Sequence, residues 1–180
     1  MIWGLIAAFA VLALVSRLTG FASQNLQDFA GKSPVFDPKR ELDGPMLCEG
    51  VIYGPMGRVA ARFVARMEGR WSGDKGVLTE HFTYDTGVEQ DREWRLTIGR
   101  DGSLRTEADD LVGAGSGQTA GPVLRLLYRL RLPATAGGHV VDVTDWLYLM
   151  DNGTIMNRSR FTKWGIPVGE LVATMRRVAA

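Results

Sequence analysis

The chain has 180 residues and a mass of 19.7 kDa, the size of one domain with a substantial hydrophobic core. Its 21 basic and 20 acidic residues give a net charge of +1, so we expect no overall electrostatic attraction to nucleic acid. A single cysteine, Cys48, excludes an internal disulfide, and two histidines argue against a histidine-rich metal site. Cys48 lies in an apolar run, which favours a buried and inert thiol.

Residues 1–22 are predicted to anchor the protein in a membrane. Met1 to Val15 carries no charged side chain, and the apolar run reaches Ala22 if the Arg17 side chain extends to the headgroups. A signal peptide cleaved after Ala22 is the alternative. Because Arg17 follows the run, the positive-inside rule predicts a single-pass inner-membrane protein whose domain is cytoplasmic rather than periplasmic.

Residues 23–45 are predicted to form a linker. Their glycines and prolines, including Gly31, Pro34 and Pro38, interrupt any helical or strand period. Residues 46–180 are then predicted to form one β domain, because the rest of the chain is almost wholly strand-like.

Two glycine-containing loops set the register of the strands between Gly76 and Val112. Asp85-Thr86-Gly87 suits a three-residue hairpin loop whose glycine is left-handed, and Arg100-Asp101-Gly102 has the same form. Side chains alternate along a strand, so each register predicts which residues face each other. The predicted pairs are Tyr84 with Val88, Phe82 with Gln90, Glu80 with Arg92, Leu78 with Trp94, Ile98 with Leu104, Leu96 with Thr106, Trp94 with Ala108 and Arg92 with Asp110.

The remaining strands follow the same alternation of apolar and polar residues. It extends from Val59 to Trp71 and from Leu124 to Leu132, with the arginines expected on a solvated face. A hairpin about Asp151-Asn152-Gly153 and a last strand from Val168 to Arg177 complete the set. About nine or ten strands with short connections predict an all-β fold, an antiparallel barrel with a sandwich as the alternative.

Glycines alternate at positions 113, 115 and 117. Their spacing is not that of a dinucleotide-binding loop and no helix pattern follows them, so we predict no nucleotide and no other cofactor. Alternating glycines along one strand are instead expected to allow a sharp bend of the kind found in barrels.

The chain resembles the bacterial domain-of-unknown-function family 3833. The resemblance rests on Glu80, Phe82, Tyr84-Asp85, Gly87, Arg92, Trp94, Ala108-Asp109-Asp110-Leu111-Val112-Gly113, Asp145-Trp146 and Gly169-Glu170. It implies a small lipocalin-like β domain tied to a membrane, with no assigned activity. Many members resemble lipoproteins with an acylated N-terminal cysteine, whereas this chain has no cysteine before Cys48. Members with a plain hydrophobic N-terminus are associated with genes for modifying membrane fatty acids, which implies membrane-enzyme partners.

Glu80, Arg92 and Asp110 are predicted to form one row inside the barrel. The row is open to three interpretations. It could be an ion row that fixes strand register. Arg92 could instead anchor the carboxylate or phosphate of a lipid or fatty acyl ligand, in a channel lined by Trp94, Leu96, Phe82 and Tyr84. Finally, Glu80 or Asp110 could act as a general acid or base near a bound acyl chain.

Tyr128 and Asp145 are further candidates for the ligand-binding site, although Asp145 could equally face solvent near a turn. His81 has the opposite parity from Glu80 and is expected outside the barrel. Together these features favour a membrane-anchored barrel that binds a lipid or fatty acyl ligand beside enzymes of membrane fatty acid modification. An enzyme acting on an acyl chain and an assembly partner of a membrane complex are the alternatives.

Overall fold

The computed structural model describes residues 20–178, and most of them lie in β-strands. The strands are β1 Gly44–Tyr53, β2 Val59–Ser72, β3 Lys75–Tyr84, β4 Glu89–Ile98, β5 Leu104–Glu107, β6 Gly115–Ala120, β7 Val123–Arg131, β8 Val140–Leu149, β9 Ile155–Lys163 and β10 Ile166–Arg177. Helical structure in this part of the chain is limited to short turns at Gly20–Ser23, Leu26–Phe29, Pro38–Glu41 and Ala134–Ala136.

Each strand of the described chain pairs antiparallel with its sequence neighbours, and β1 pairs with β10 to close the sheet. The predicted antiparallel barrel is therefore confirmed over the sandwich. Since the strands alternate in direction, their connections alternate between two ends. We call the end that carries loops 54–58, 85–88, 108–114, 132–139 and 164–165 the mouth. The end that carries loops 73–74, 99–103, 121–122 and 150–154 is the base.

The segment predicted as a linker contributes to the base of the barrel. Phe36 and Leu42 are buried in the same apolar cluster as the inward side chains of the strands. The backbone N–H of Phe36 donates to Gly121 O at 2.8 Å, and Trp71 Nε1 donates to Leu42 O at 3.1 Å. Sequence suggested a linker because glycines and prolines interrupt any regular period, but the apolar residues of the segment pack against the barrel core.

Residues 20–29 lie on the outer wall. Phe21 is buried with Trp146 in a second, smaller apolar cluster, against which Phe29 also packs. Of the predicted anchor, residues 1–19 lie outside the described part of the chain. Within residues 20–178, no helix has the length and apolar character needed to span a membrane.

Glycines on β6 make room for large side chains inside the barrel. A Cβ on Gly115 would lie 2.5 Å from Thr106 Oγ1 and 2.8 Å from Tyr128 Cβ. A Cβ on Gly117 would lie 2.6 Å from Leu126 Cδ2. The third glycine of the predicted strand, Gly113, has a φ of 78° and precedes β6. The glycines thus serve close packing, which brings Tyr128 towards the barrel axis.

Candidate functional site

The two hairpin loops produce the predicted register. Gly87 and Gly102 both have a positive φ, 80° and 77°. In the β3–β4 ladder Glu80 faces Arg92, Leu78 faces Trp94 and Phe82 faces Gln90. Ile98 faces Leu104 and Leu96 faces Thr106 in the β4–β5 ladder. The glycines allow the tight turns, and the turns place Glu80 and Arg92 on the inner face together.

The prediction that this row of paired residues continues to Asp110 was wrong. Pairing between β4 and β5 ends at Arg95 and Glu107, so neither Trp94 with Ala108 nor Arg92 with Asp110 is a ladder pair. The chain turns at Ala108, whose carbonyl accepts from Leu111 N at 3.1 Å. The Asp110 carbonyl then accepts from Arg131 N at 2.8 Å. Asp110 therefore reaches the site from a turn that leads towards β7.

Arg92 and Asp110 form an ion pair near the mouth. Arg92 Nε lies 3.0 Å from Asp110 Oδ2, and Arg92 Nη2 donates to Oδ1 at 3.1 Å. The guanidinium carbon lies 4.1 Å from the centre of the Trp94 ring. The two charged side chains are 15% and 28% exposed, so solvent reaches the pair. Arg92 Nη1 has no hydrogen-bond partner among the described residues, which leaves a donor for a ligand.

Glu80 is buried beside Arg92 and is 7% exposed. Its Oε2 accepts a hydrogen bond from Trp94 Nε1 at 3.2 Å. Among residues 20–178, neither a hydrogen bond nor an ion pair joins Glu80 to Arg92, so only the Arg92–Asp110 half of the predicted row is bonded. Burial raises the pKa of the Glu80 carboxyl to about 7, although Arg92 and the Trp94 hydrogen bond act in the opposite direction.

Asp145 points into the barrel and is 8% exposed, so the solvent-facing alternative was wrong. Its Oδ1 accepts hydrogen bonds from Ser159 Oγ at 2.8 Å and from Asn157 Nδ2. Burial raises the pKa of the Asp145 carboxyl, while the bonds from Ser159 and Asn157 lower it. The carboxylate is thus held by neutral donors instead of an opposite charge.

Tyr128 connects the two groups of polar residues. Its hydroxyl lies 3.5 Å from Asp145 Oδ2, and its ring packs edge-to-face on Trp94 with centroids 5.2 Å apart. Burial raises the pKa of the Tyr128 hydroxyl well above its usual range, so the group keeps its proton. We refer to the whole set as the interior polar cluster. It comprises Glu80, Arg92, Asp110, Tyr128, Asp145, Asn157 and Ser159.

Aromatic side chains lie between the interior polar cluster and the mouth. Phe63 and Phe82 pack edge-to-face at 5.2 Å, and Phe82 stacks with Tyr84 at 6.1 Å. The Tyr84 hydroxyl donates to Gln90 Oε1 at 3.1 Å. Phe82 and Tyr84 are half-buried, so the inner face of β3 on the mouth side of Glu80 is largely apolar.

The outer side of the same wall carries a cleft of about 990 Å³ that extends across β1 to β4. Its lining includes inward residues such as Glu80 and Arg92, but mostly outward ones such as Arg66 and Asp91. The cleft is therefore open to solvent.

Two residues outside the interior polar cluster lie as predicted. His81 faces outward, with Nδ1 2.6 Å from Asp91 Oδ1. Cys48 is buried, and burial raises the pKa of its thiol to about 12. No group of three or more His, Cys, Asp or Glu side chains within residues 20–178 is arranged to hold a metal ion.

Sequence reasoning missed Asn157 and Ser159. The loop Asp151-Asn152-Gly153 has the same form as the two hairpin loops above. Its register places Leu147 opposite Asn157 and Asp145 opposite Ser159, as observed. The glycine loop therefore predicts both residues as partners of β8, although the register was not followed along this hairpin.

A model of the family described as "Protein of unknown function (DUF3833)" matches residues 15–177. The chain belongs to the DUF3833 family. The match covers the whole barrel and every residue of the interior polar cluster. No curated protein matches this DUF3833 chain significantly.

Solved structures resemble this DUF3833 protein in fold. Rv2717c from M. tuberculosis superposes with a TM-score of 0.55 at 15% identity, over 78% of this chain and 94% of that one. At that identity the likeness establishes the barrel fold alone. A redesigned β-barrel, mFAP0, bound to DFHBI, has a TM-score of 0.40 and 14% identity over 77% of this chain and 100% of its own.

Proposed function

We propose that this barrel binds an amphiphile with an acidic head group, such as a fatty acyl carboxylate, and that Arg92 anchors the head group. The observation that carries the proposal is the geometry of Arg92, which is inside the barrel, near the mouth and only partly satisfied. Asp110 occupies Nε and Nη2, whereas Nη1 is left for a ligand oxygen. Arginine suits this role because its planar donors match carboxylate and phosphate oxygens.

Glu80 supports the binding of an anion because of its protonation. With a pKa of about 7, a large share of its carboxyl groups is neutral at physiological pH. A neutral carboxyl does not repel a ligand carboxylate and can donate a hydrogen bond to it. Arg92 and Asp110 then offset each other's charge, and Asp145 is bonded to the neutral side chains of Asn157 and Ser159.

The aromatic residues on the mouth side suit the tail of such a ligand. Phe82 and Tyr84 follow Glu80 along the inner face of β3, and Phe63 packs against both. An acyl chain leaving Arg92 towards the mouth would contact this apolar wall, and burial of each methylene is favourable by about 0.8 kcal/mol.

Membrane attachment and a lipocalin-like role beside membrane fatty acid enzymes are the finer part of the proposal. They are supported by the uncharged run Met1 to Val15, by Arg17 after it and by the family resemblance. A reporter fused after Ala180 that is active only when exported tests the proposed cytoplasmic side. Activity of that reporter would refute it.

The binding proposal is tested with dodecanoate and its methyl ester, titrated calorimetrically into delipidated protein. Arg92→Met should abolish the preference for the carboxylate, because the ester lacks the charge that Arg92 recognises. Arg95→Met is the matched control, since Arg95 lies on the same strand but faces outward, where it pairs with Asp109. The control should bind dodecanoate like the wild type.

Two results would contradict the proposal. One is equal affinity of the wild type for dodecanoate and its ester. The other is unchanged dodecanoate binding by an Arg92→Met protein with a native circular dichroism spectrum. In either case the Arg92–Asp110 pair would have the structural role of holding the turn at Ala108 against β4.

An enzyme is the second candidate, favoured by the elevated pKa of buried Glu80. A carboxyl that titrates near 7 can exchange protons at physiological pH, as a general acid or base must. Chemical change of a bound acyl chain that is lost in Glu80→Gln while binding persists would support catalysis. Recovery of unchanged ligand from prolonged incubation with the wild type would argue against it.

A further inference from the structure

The most exposed large apolar side chains of the described chain lie on two neighbouring loops at the mouth. Met56, in loop 54–58, is 84% exposed, and Trp164, in loop 164–165, is 86% exposed. Ile166 and Val59 beside them are also exposed. The two loops are neighbours because β10 pairs with β1 and β1 pairs with β2. We call the set formed by Met56, Val59, Trp164 and Ile166 the mouth rim.

The backbone of Trp164 indicates that the fold does not require a tryptophan there. The turn Trp164-Gly165 has positive φ at both residues, 52° and 77°, as in a type I′ hairpin turn. Among the described residues, Trp164 is the sole non-glycine with a positive φ, a conformation in which asparagine and glycine are preferred. The indole packs on no buried residue, and Lys163 Nζ lies 4.8 Å from its ring centre. An interaction outside the chain would explain a large aromatic side chain in this place.

The two loops of the mouth rim carry charges of one sign, and Asp85 on the neighbouring loop 85–88 is paired with Arg62. Arg58 and Lys163 flank the apolar tips, and stretches 54–60 and 161–168 contain no aspartate or glutamate. Exposed apolar tips flanked by basic residues match a bilayer surface with anionic lipids, where indole rings are favoured at the headgroup level. A stable protein partner would need about 800 Å² of surface on each side, whereas the mouth rim consists of two narrow loop tips.

We infer that the mouth rim docks the barrel on an anionic lipid surface, with Met56 and Trp164 inserted and Arg58 and Lys163 at the headgroups. The inference does not depend on a ligand at Arg92. It is also separate from the predicted anchor in residues 1–22. Docking in this orientation would direct the mouth, with Phe82 and Tyr84 behind it, at the bilayer.

Site-specific fluorescence on the full chain tests the inference. An environment-sensitive NBD label is attached to Met56→Cys at the mouth or to Met150→Cys, an exposed methionine at the base. Buried Cys48 should stay unlabelled because its pKa is about 12.

On vesicles of phosphatidylcholine and phosphatidylglycerol, the fluorescence of the label at position 56 should shift to the blue and be quenched by nitroxide lipids. The label at 150 should do neither. Insertion of the N-terminal run is common to both labelled proteins, so the Trp164→Asp variant below tests whether the mouth rim itself enters the bilayer.

A second pair of variants separates the contribution of the apolar tip from that of the label. Trp164→Asp should abolish the quenching at position 56, whereas Ser72→Asp at the base end of β2 should leave it unchanged. Equal quenching at both ends, or none at 56, would overturn the inference. It would also be overturned if the label at 56 responded only to protein concentration without vesicles, which would indicate a contact between copies of the chain. Failure of dodecanoate binding would leave these readouts unaffected.

Discussion

Glu80 and Arg92 face each other across β3 and β4, yet the Glu80 carboxylate accepts its hydrogen bond from Trp94. Arg92 directs its donors to Asp110 instead. Two charged residues in adjacent positions therefore have different environments. Arg92 is paired and reached by solvent, while Glu80 is buried beside an indole. Glu80 is consequently the member of the pair whose protonation changes near neutral pH.

Stability should fall as the pH rises from about 4.5 to about 7, because Glu80 keeps its proton in the folded state after it has lost it in the unfolded state. The folded protein binds more protons over this window, so deprotonation favours unfolding. Above pH 7 the penalty is complete and on the order of 3 kcal/mol. Glu80→Gln should remove this part of the pH dependence, as measured by urea unfolding between pH 4 and 8, a range chosen to span both protonation states.

Glu93→Gln serves as the control for the pH series, since Glu93 lies on β4 but faces outward. It should retain the wild-type pH profile. A Glu80→Gln profile that runs parallel to that of the wild type would show that Glu80 is not the titrating group. Asp145, whose pKa burial also raises, would then be the next residue to substitute.

Arg92→Met should destabilise the protein by about 3 kcal/mol, the lower end of the range for a broken buried pair, because Asp110 keeps some contact with solvent. The loss should shrink when Asp110 is also changed to Asn, since no unpaired carboxylate then remains. Chemical denaturation of the two single variants and the double variant measures the coupling. Additive losses would mean that the ion pair contributes nothing to stability.

Gly115→Ala should cost about 1 to 3 kcal/mol, because the new methyl group would overlap Thr106 and Tyr128. It should also displace the Tyr128 hydroxyl from Asp145. Ser116→Ala, at the exposed neighbouring position, is the matched control and should be near neutral. Thermal unfolding of both variants measures the difference in stability. A Gly115→Ala melting temperature equal to that of Ser116→Ala would show that the strands can separate to admit a side chain.

Phe36→Ala should cost about 3 to 5 kcal/mol if the segment before β1 is part of the folded core. Val35→Ala, next to it but exposed, should cost little. Hydrogen exchange of the backbone amide at position 36 provides a second readout, since this N–H donates to the Gly121 carbonyl. Equal stabilities of the two variants would indicate a true linker.

The local register was predictable because glycine in a tight loop leaves few alternatives. Gly87 and Gly102 fixed the partners of Glu80 and Leu104 before any long-range contact was known. Alternation then assigned the inner face, since a slip of one residue would have turned every apolar side chain outward.

What could not be predicted depends on contacts between segments distant in the sequence. The turn at Ala108 forms because Asp110 and its neighbours bond to β7, which no local pattern reveals. For Asp145, the loop Asp151-Asn152-Gly153 sets Ser159 as its partner, but the face of β8 that points inward follows only from the closed barrel. Likewise, Phe36 could be recognised as core only once the base of the barrel existed to receive it.

The pairing of β1 with β10 has a consequence for how the protein is made. Of the ten strands in the described chain, β1 leaves the ribosome first and its partner β10 leaves it last. During translation β1 therefore has one unpaired edge, and the barrel cannot close until β10 has emerged. Closure over such a long stretch of chain is entropically costly and slow. An exposed strand edge also invites pairing with other chains, so the nascent protein is most prone to aggregate just before its last strand is added.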